Sequence, residues 1–332
     1  MSTRCHVARR AQRIVSARWG AFAALLLVLL AVPSLGHLPA RLLAGCPKWI
    51  ALAVLLELVS ILGFIAAFAL VFGAGMTRRQ SVLGALRALG ASSVLPAGGL
   101  VGPAIGAGPA IGAGSEHPEH RPPTSLVRPT IVFTVLTTGP GVVALALFGV
   151  SLWLGWPAGP HAALLTLPAA GVATTLFALF FLLGRATPPD ISRHRRWPRL
   201  PAWTTAGPRV LREGAADASR VLGARNWKLL GAPAYYAFDN AVLWAAFRAY
   251  GNAPPVGVIV MGYLVGSLGA IVPAPAGLGA VEGGLIAALV VYGAPAGPAA
   301  GAVLLYRGIS LGLAVSLGAG AWTRRSASGL SA

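Results

Sequence analysis

Four ionisable side chains, Glu57, Asp239, Glu282 and Arg307, stand deep inside long apolar runs of the sequence. At the centre of a membrane helix each costs roughly 2.5 to 3.5 kcal/mol on insertion scales, so each is expected to face the interior and pair, or to line a polar cavity. Glu282 lies in a stretch, residues 272–285, that reads Val-Pro-Ala-Pro-Ala-Gly-Leu-Gly-Ala-Val-Glu-Gly-Gly-Leu. Pro273, Pro275, Gly277 and Gly279 interrupt the segment at a depth where a helix should be continuous. A half-helix starting after such a break presents unpaired N–H groups and a positive dipole end, which favour an anion such as phosphate. Arg307 offers a planar fork for the same group, and the three acids suit any cationic part of a ligand. For Glu57 or Asp239 taken singly, structural pairing between helices weighs as much as a binding role.

Other chemistries find little support. Cys5 and Cys46 are the only cysteines, so neither a disulfide framework nor a thiolate metal site is expected. Neither lysine, Lys48 or Lys228, sits in a phosphate-cradling Gly-x-x-x-x-Gly-Lys loop. Glu116, His117, Glu119 and His120 fall close together, but Pro118 prevents a helical ligand pair, and a solvated loop is the expectation. No nucleophile–base constellation emerges. The chain is therefore expected to be neither an enzyme nor the holder of a cofactor or metal.

The elements that must position these residues are membrane helices. The sequence is 332 residues long, 56% hydrophobic and 10% charged, and several apolar runs reach about twenty residues, the length that spans a bilayer. An all-α, polytopic membrane protein follows, with about six full spans at residues 19–35, 49–73, 130–154, 161–184, 229–250 and 299–321. Two further segments are broken. Residues 82–113 are too long for one straight span and are interrupted around Pro96, Gly98, Gly99 and Pro103; residues 256–293 are interrupted at the stretch around Glu282. Each is expected to form a broken or re-entrant helix pair.

The net charge of +18 comes from arginines in the connections between apolar runs, which is the orientation bias of membrane proteins rather than a nucleic-acid footprint. If residues 82–113 return to their starting face, the inner connections hold 21 basic residues and the outer ones only 2; a single crossing gives 7 and 16. The returning arrangement puts both termini, residues 1–18 and 323–332, in the cytoplasm of a cell-membrane protein, around a membrane domain at 19–322. The long basic connection, 185–228, is then cytoplasmic, and Val210, Leu211, Gly214, Ala218, Val221 and Leu222 recur at helical spacing along an amphipathic surface helix. Two units of the same order, starting from opposite faces, also emerge: an inverted repeat with discontinuous helices, a transporter architecture.

Pro275-Ala-Gly-Leu-Gly-Ala-Val-Glu282, followed after a Gly293-Ala-Pro turn by Leu304-Leu-Tyr-Arg307, resembles the membrane domain of lysylphosphatidylglycerol synthases/flippases and their stand-alone relatives. The Pro96 segment fits the same pattern more loosely. The resemblance implies movement of an aminoacylated or other modified lipid between leaflets, with aminoacyl transfer performed by a separate cytosolic domain. About ten residues follow the last span, so a stand-alone flippase-like form without the synthase domain is expected. Its partners would be membrane lipids, anionic or aminoacylated, and no nucleic acid; a homo-oligomer is open. The alternatives are a secondary transporter of a small polar solute or ion, and an accessory subunit of an envelope enzyme.

Overall fold

A computed structural model describes residues 45–95, 98–113, 126–156, 163–185, 202–271 and 279–328. Among them are ten α-helices and no strand: α1 (Pro47–Phe72), α2 (Arg78–Val94), α3 (Gly98–Ala113), α4 (Val127–Trp153), α5 (Ala163–Arg185), α6 (Ala202–Gly223), α7 (Gly231–Ala249), α8 (Val256–Gly266), α9 (Ala280–Val291) and α10 (Ala296–Ser328). Short 3-10 turns, Trp227–Leu230 and Ser267–Ile271, lead into α7 and out of α8.

Among the described residues, four helices are long and apolar enough to cross a membrane: Pro47–Phe72, Val127–Trp153, Ala163–Arg185 and Ala296–Arg324. They coincide with four of the expected spans. The run at 19–35 and the loop with His117 and His120 lie outside the described residues. The expected span at 229–250 forms α7, a 19-residue helix that falls outside those four. Tyr235, Tyr236, Asp239, Asn240 and Arg248 make it too polar for a lipid-facing helix, and it packs instead against α1, α4, α8 and α10. Leu164, Leu176 and Leu179 of α5, by contrast, are 86%, 63% and 54% exposed, a surface that only an apolar solvent would suit.

Local chemistry sets the boundaries. Thr77 and Gln80 cap α2 reciprocally, with bonds of 3.2 and 2.8 Å between side chain and backbone N–H. Within α4 the hydroxyls of Thr130, Thr134 and Thr138 return to carbonyls one turn earlier, which satisfies them without a partner helix. Pro140 and Pro168 stand inside α4 and α5, as membrane helices tolerate.

Both broken segments are antiparallel helix hairpins, α2/α3 and α8/α9, with glycine in the seam. A Cβ on Gly106 would come within 2.3 Å of Gly84 O, and one on Gly266 within 2.5 Å of Leu285 Cα. Only glycine permits backbones this close, the association mode available where lipid supplies no hydrophobic drive. Pro96, Pro273, Pro275 and Gly277 lie outside the described residues; Gly98 and Gly99 open α3, and Gly279, at φ +82°, is the N-cap of α9. The α1/α7 pair meets similarly, through Gly63 and Gly231.

The amphipathic helix expected on the membrane surface is α6, longer than its repeat suggested. It lies against α4 and α5, with Ala215 and Ala218 buried. Arg128 of α4 reaches Glu213 at 3.2 Å and Asp217 at 2.6 Å. These exposed pairs contribute little energy but set the docking register.

Candidate functional site

The antiparallel α1/α7 seam organises the site. At one end Trp49 meets Trp244 edge-on at 5.4 Å; further along, Ser60 Oγ donates to Tyr235 O at 3.0 Å; then Gly63 faces Gly231. This register places Glu57 opposite Asp239, within electrostatic reach, and both side chains are buried. Sequence reasoning named these two acids separately. The structure brings them together, and Glu57 Oε2 has no hydrogen-bond partner among the described residues.

Asp239 is held by tyrosines. Tyr306 OH of α10 donates to its carboxylate at 3.0 Å, and Tyr263 OH of α8 donates to Oδ2. Tyr235, Tyr236, Tyr263 and Tyr306 form a chain of edge-on rings, with Tyr236 and Tyr263 centroids 6.3 Å apart and Tyr263 and Tyr306 6.1 Å apart. Four of the six tyrosines in the sequence therefore surround one acid. The aromatic faces and two carboxylates make the centre favourable to a cation.

Glu282 and Arg307 meet, but not around an open anion site. Glu282 Oε1 accepts from Arg307 Nε at 2.8 Å, and Oε2 accepts from the backbone N–H of Gly279 at 2.7 Å. The carboxylate of Glu282 thus occupies the helix N-terminus that the sequence offered to a phosphate, because an acid at the third helical position can fold back onto its own cap. The side chains are 10% and 14% exposed. Arg307 also lies within electrostatic reach of Asp239, so the pair and the acid–tyrosine cluster form one polar centre.

Beside this centre is an apolar cleft of about 560 Å³ between α4, α7 and α8. Phe148, Pro233, Ala237, Ala241, Trp244 and Val256 are among its walls, and Tyr236 and Asn240 give it a polar edge. Pro233, Ala237 and Val256 are exposed, so the cleft opens sideways at the surface of the bundle. Tyr236 lines the cleft and touches Tyr263, whose hydroxyl holds Asp239. No group of three or more His, Cys, Asp or Glu residues converges on a metal-sized site among the described residues.

The tyrosines and Tyr236's link to the cleft were missed in the sequence. One signal was available: Tyr306 precedes Arg307, and Tyr235 and Tyr236 lie one turn before Asp239, where helical spacing stacks side chains on one face.

Apolar spanning helices around a buried cluster of acids, tyrosines and an arginine define a multi-pass helical membrane protein with a polar interior. Residues 15–318 match the family model described as the lysylphosphatidylglycerol synthase TM region, and the chain belongs to that family. No curated protein matches it.

Proposed function

We propose that the protein moves a phospholipid, anionic or aminoacylated, between the leaflets of the cell membrane, without covalent chemistry of its own. One observation carries this reading: Tyr236 is shared between the laterally open apolar cleft and the polar centre at Asp239. An amphiphile needs this combination, a polar site for its head beside a surface where its tails stay in an apolar medium. In the proposal Glu57 and Asp239 meet a cationic part of the head group, while Glu282 and Arg307 exchange their mutual bond for contacts with its charges. In the same proposal the sequence breaks at Pro96, Gly98, Gly99, Pro273, Pro275, Gly277 and Gly279 serve as hinges.

The packing supports an inverted repeat. Exchange α1 with α7, hairpin α2/α3 with α8/α9, and α4 with α10: the neighbours map onto neighbours, since α2 packs on α10 as α8 packs on α4, while α1 packs on α7 in both descriptions. In such transporters rocking of one half against the other exposes a fixed site alternately to each side. The six-span count, the membrane domain at 19–322, the cytoplasmic loop 185–228 and the cytoplasmic termini complete the proposal, with α6 docked at the inner surface.

The test is a leaflet-accessibility assay in reconstituted vesicles carrying a labelled anionic phospholipid, with Glu282→Gln and Arg307→Ala beside the parent. The parent should accelerate exchange over empty vesicles, and the variants should lose at least tenfold of that acceleration. Equal rates in parent, variants and empty vesicles would remove lipid translocation from consideration.

A further inference from the structure

Arg248 plays no part in the polar centre. It occupies the last turn of α7, where its guanidinium lies 5.0 Å from the ring centroid of Trp49 and 5.9 Å from that of Trp244. Both distances fall within the range of cation–π attraction. Its Nε is buried without a hydrogen-bond partner among the described residues, and no acidic side chain answers its charge there. The two indoles hold the fork in place and leave its donors, which fit the oxygens of a phosphate, for something else.

The apolar cleft starts one turn away. Trp244, over which Arg248 lies, is also a wall of the cleft, and Ala241, Ala237 and Pro233 continue that wall along the same face of α7. From Trp244 to Pro233 the helix rises roughly 16 Å, about half of the ~30 Å hydrocarbon core. A groove with a cation at its end and an apolar wall one leaflet deep is complementary to a phospholipid standing upright in that leaflet. Trp49 and Trp244 lie where interfacial indoles are found, at the end of the helices marked by Lys48 and Tyr250.

We propose that Arg248, cradled by Trp49 and Trp244, binds the phosphate of an anionic phospholipid whose acyl chain lies in the cleft between α4, α7 and α8. This docking subsite rests on the lipid-handling reading and adds where a lipid waits before or after it visits the polar centre. On the topology proposed above it faces the outer leaflet. Tyr236 lies deeper in the same cleft, so a lipid seated here is already beside the route to Asp239.

Retention of lipid by the purified protein, measured by native mass spectrometry from detergent, tests the subsite without any transport. The probes are phosphatidylglycerol, diacylglycerol with the same chains, and glycerol phosphate without chains. The parent should retain phosphatidylglycerol at least tenfold better than either partial ligand. Arg248→Gln should lose at least tenfold of that retention, Arg248→Lys should keep part of it, and Ala241→Phe, which fills the cleft, should lose it with Arg248 intact. A thermal midpoint for each variant separates loss of binding from loss of fold. Equal retention by parent and a folded Arg248→Gln, or equal retention of diacylglycerol and phosphatidylglycerol, would overturn the subsite and show Arg248 to be an interfacial belt residue only. Retention of glycerol phosphate as strong as that of the lipid would overturn it in favour of free phosphate. Failure of vesicle exchange with lipid retention intact would sink the transport reading and leave this one standing.

Discussion

At the scale of single residues, Glu282 joins two elements: one oxygen closes the first turn of α9 through Gly279 and the other holds Arg307 on α10. A double-mutant cycle of Glu282→Gln and Arg307→Gln, read by unfolding in mild detergent, should give a coupling of about 1 to 3 kcal/mol, as for residues in one charged network. Additive effects would mean the bond carries no stability. The sequence assigned both residues to one candidate site, because an acid and a cation left in apolar runs must pair or line a polar cavity. The hold on Asp239 was not legible there. Its partners Tyr263 and Tyr306 lie 24 and 67 residues away, and a tyrosine in a membrane segment carries no charge that demands an explanation. The expected anion site at the α9 N-terminus failed for a local reason: the sequence already supplied the anion, three residues after Gly279.

At the scale of elements, glycine decides which helices touch. A Cβ on Gly63 would fall 2.7 Å from Gly231 O, and one on Gly231 2.6 Å from Gly63 O, so this contact sets the register that brings Glu57 to Asp239. Gly63→Val or Gly231→Val should therefore destabilise the protein by about 1 to 3 kcal/mol, the usual cost of overpacking, and should slow lipid exchange. Gly171→Val, on α5 with nothing within 4 Å of an added Cβ, is the matched control and should leave both nearly unchanged. Equal effects at the three positions would deny the seam its role. The hairpins and their breaks could be read from proline and glycine clusters, since such backbone cannot stay helical. Which helix each hairpin leans on depends on side-chain shape across distant segments, and periodicity does not encode it. The polarity of α7 illustrates the limit: an apolar run with Asp239, Asn240 and Arg248 looked like an ordinary span, whereas its polar side chains sit among the neighbours α1, α4, α8 and α10 that pack against it.

At the scale of the whole molecule, the polar centre is surrounded by helices from both proposed repeats: Glu57 from α1, Asp239 from α7, Tyr263 from α8 and Tyr306 from α10. In the proposed topology the distribution of arginines sets its orientation. A reporter inserted at residue 195 should register as cytoplasmic; an extracytoplasmic signal would invert the arrangement and place the Arg248 subsite in the inner leaflet. Fold class was legible because hydropathy is summed over whole segments, and errors at single residues cancel. The location of the polar centre depends on a few side chains, where no such averaging helps. Lipid translocation through this protein requires a lipid head group to enter this centre. The most direct measurement is photo-crosslinking in vesicles with a phospholipid carrying a photoreactive group on its head, followed by peptide mapping. Labelling of Tyr235, Tyr236, Tyr263 or Tyr306 in the parent, reduced at least fivefold by Asp239→Asn, is the predicted result. Labelling confined to exposed residues, and unchanged by Asp239→Asn, would contradict it.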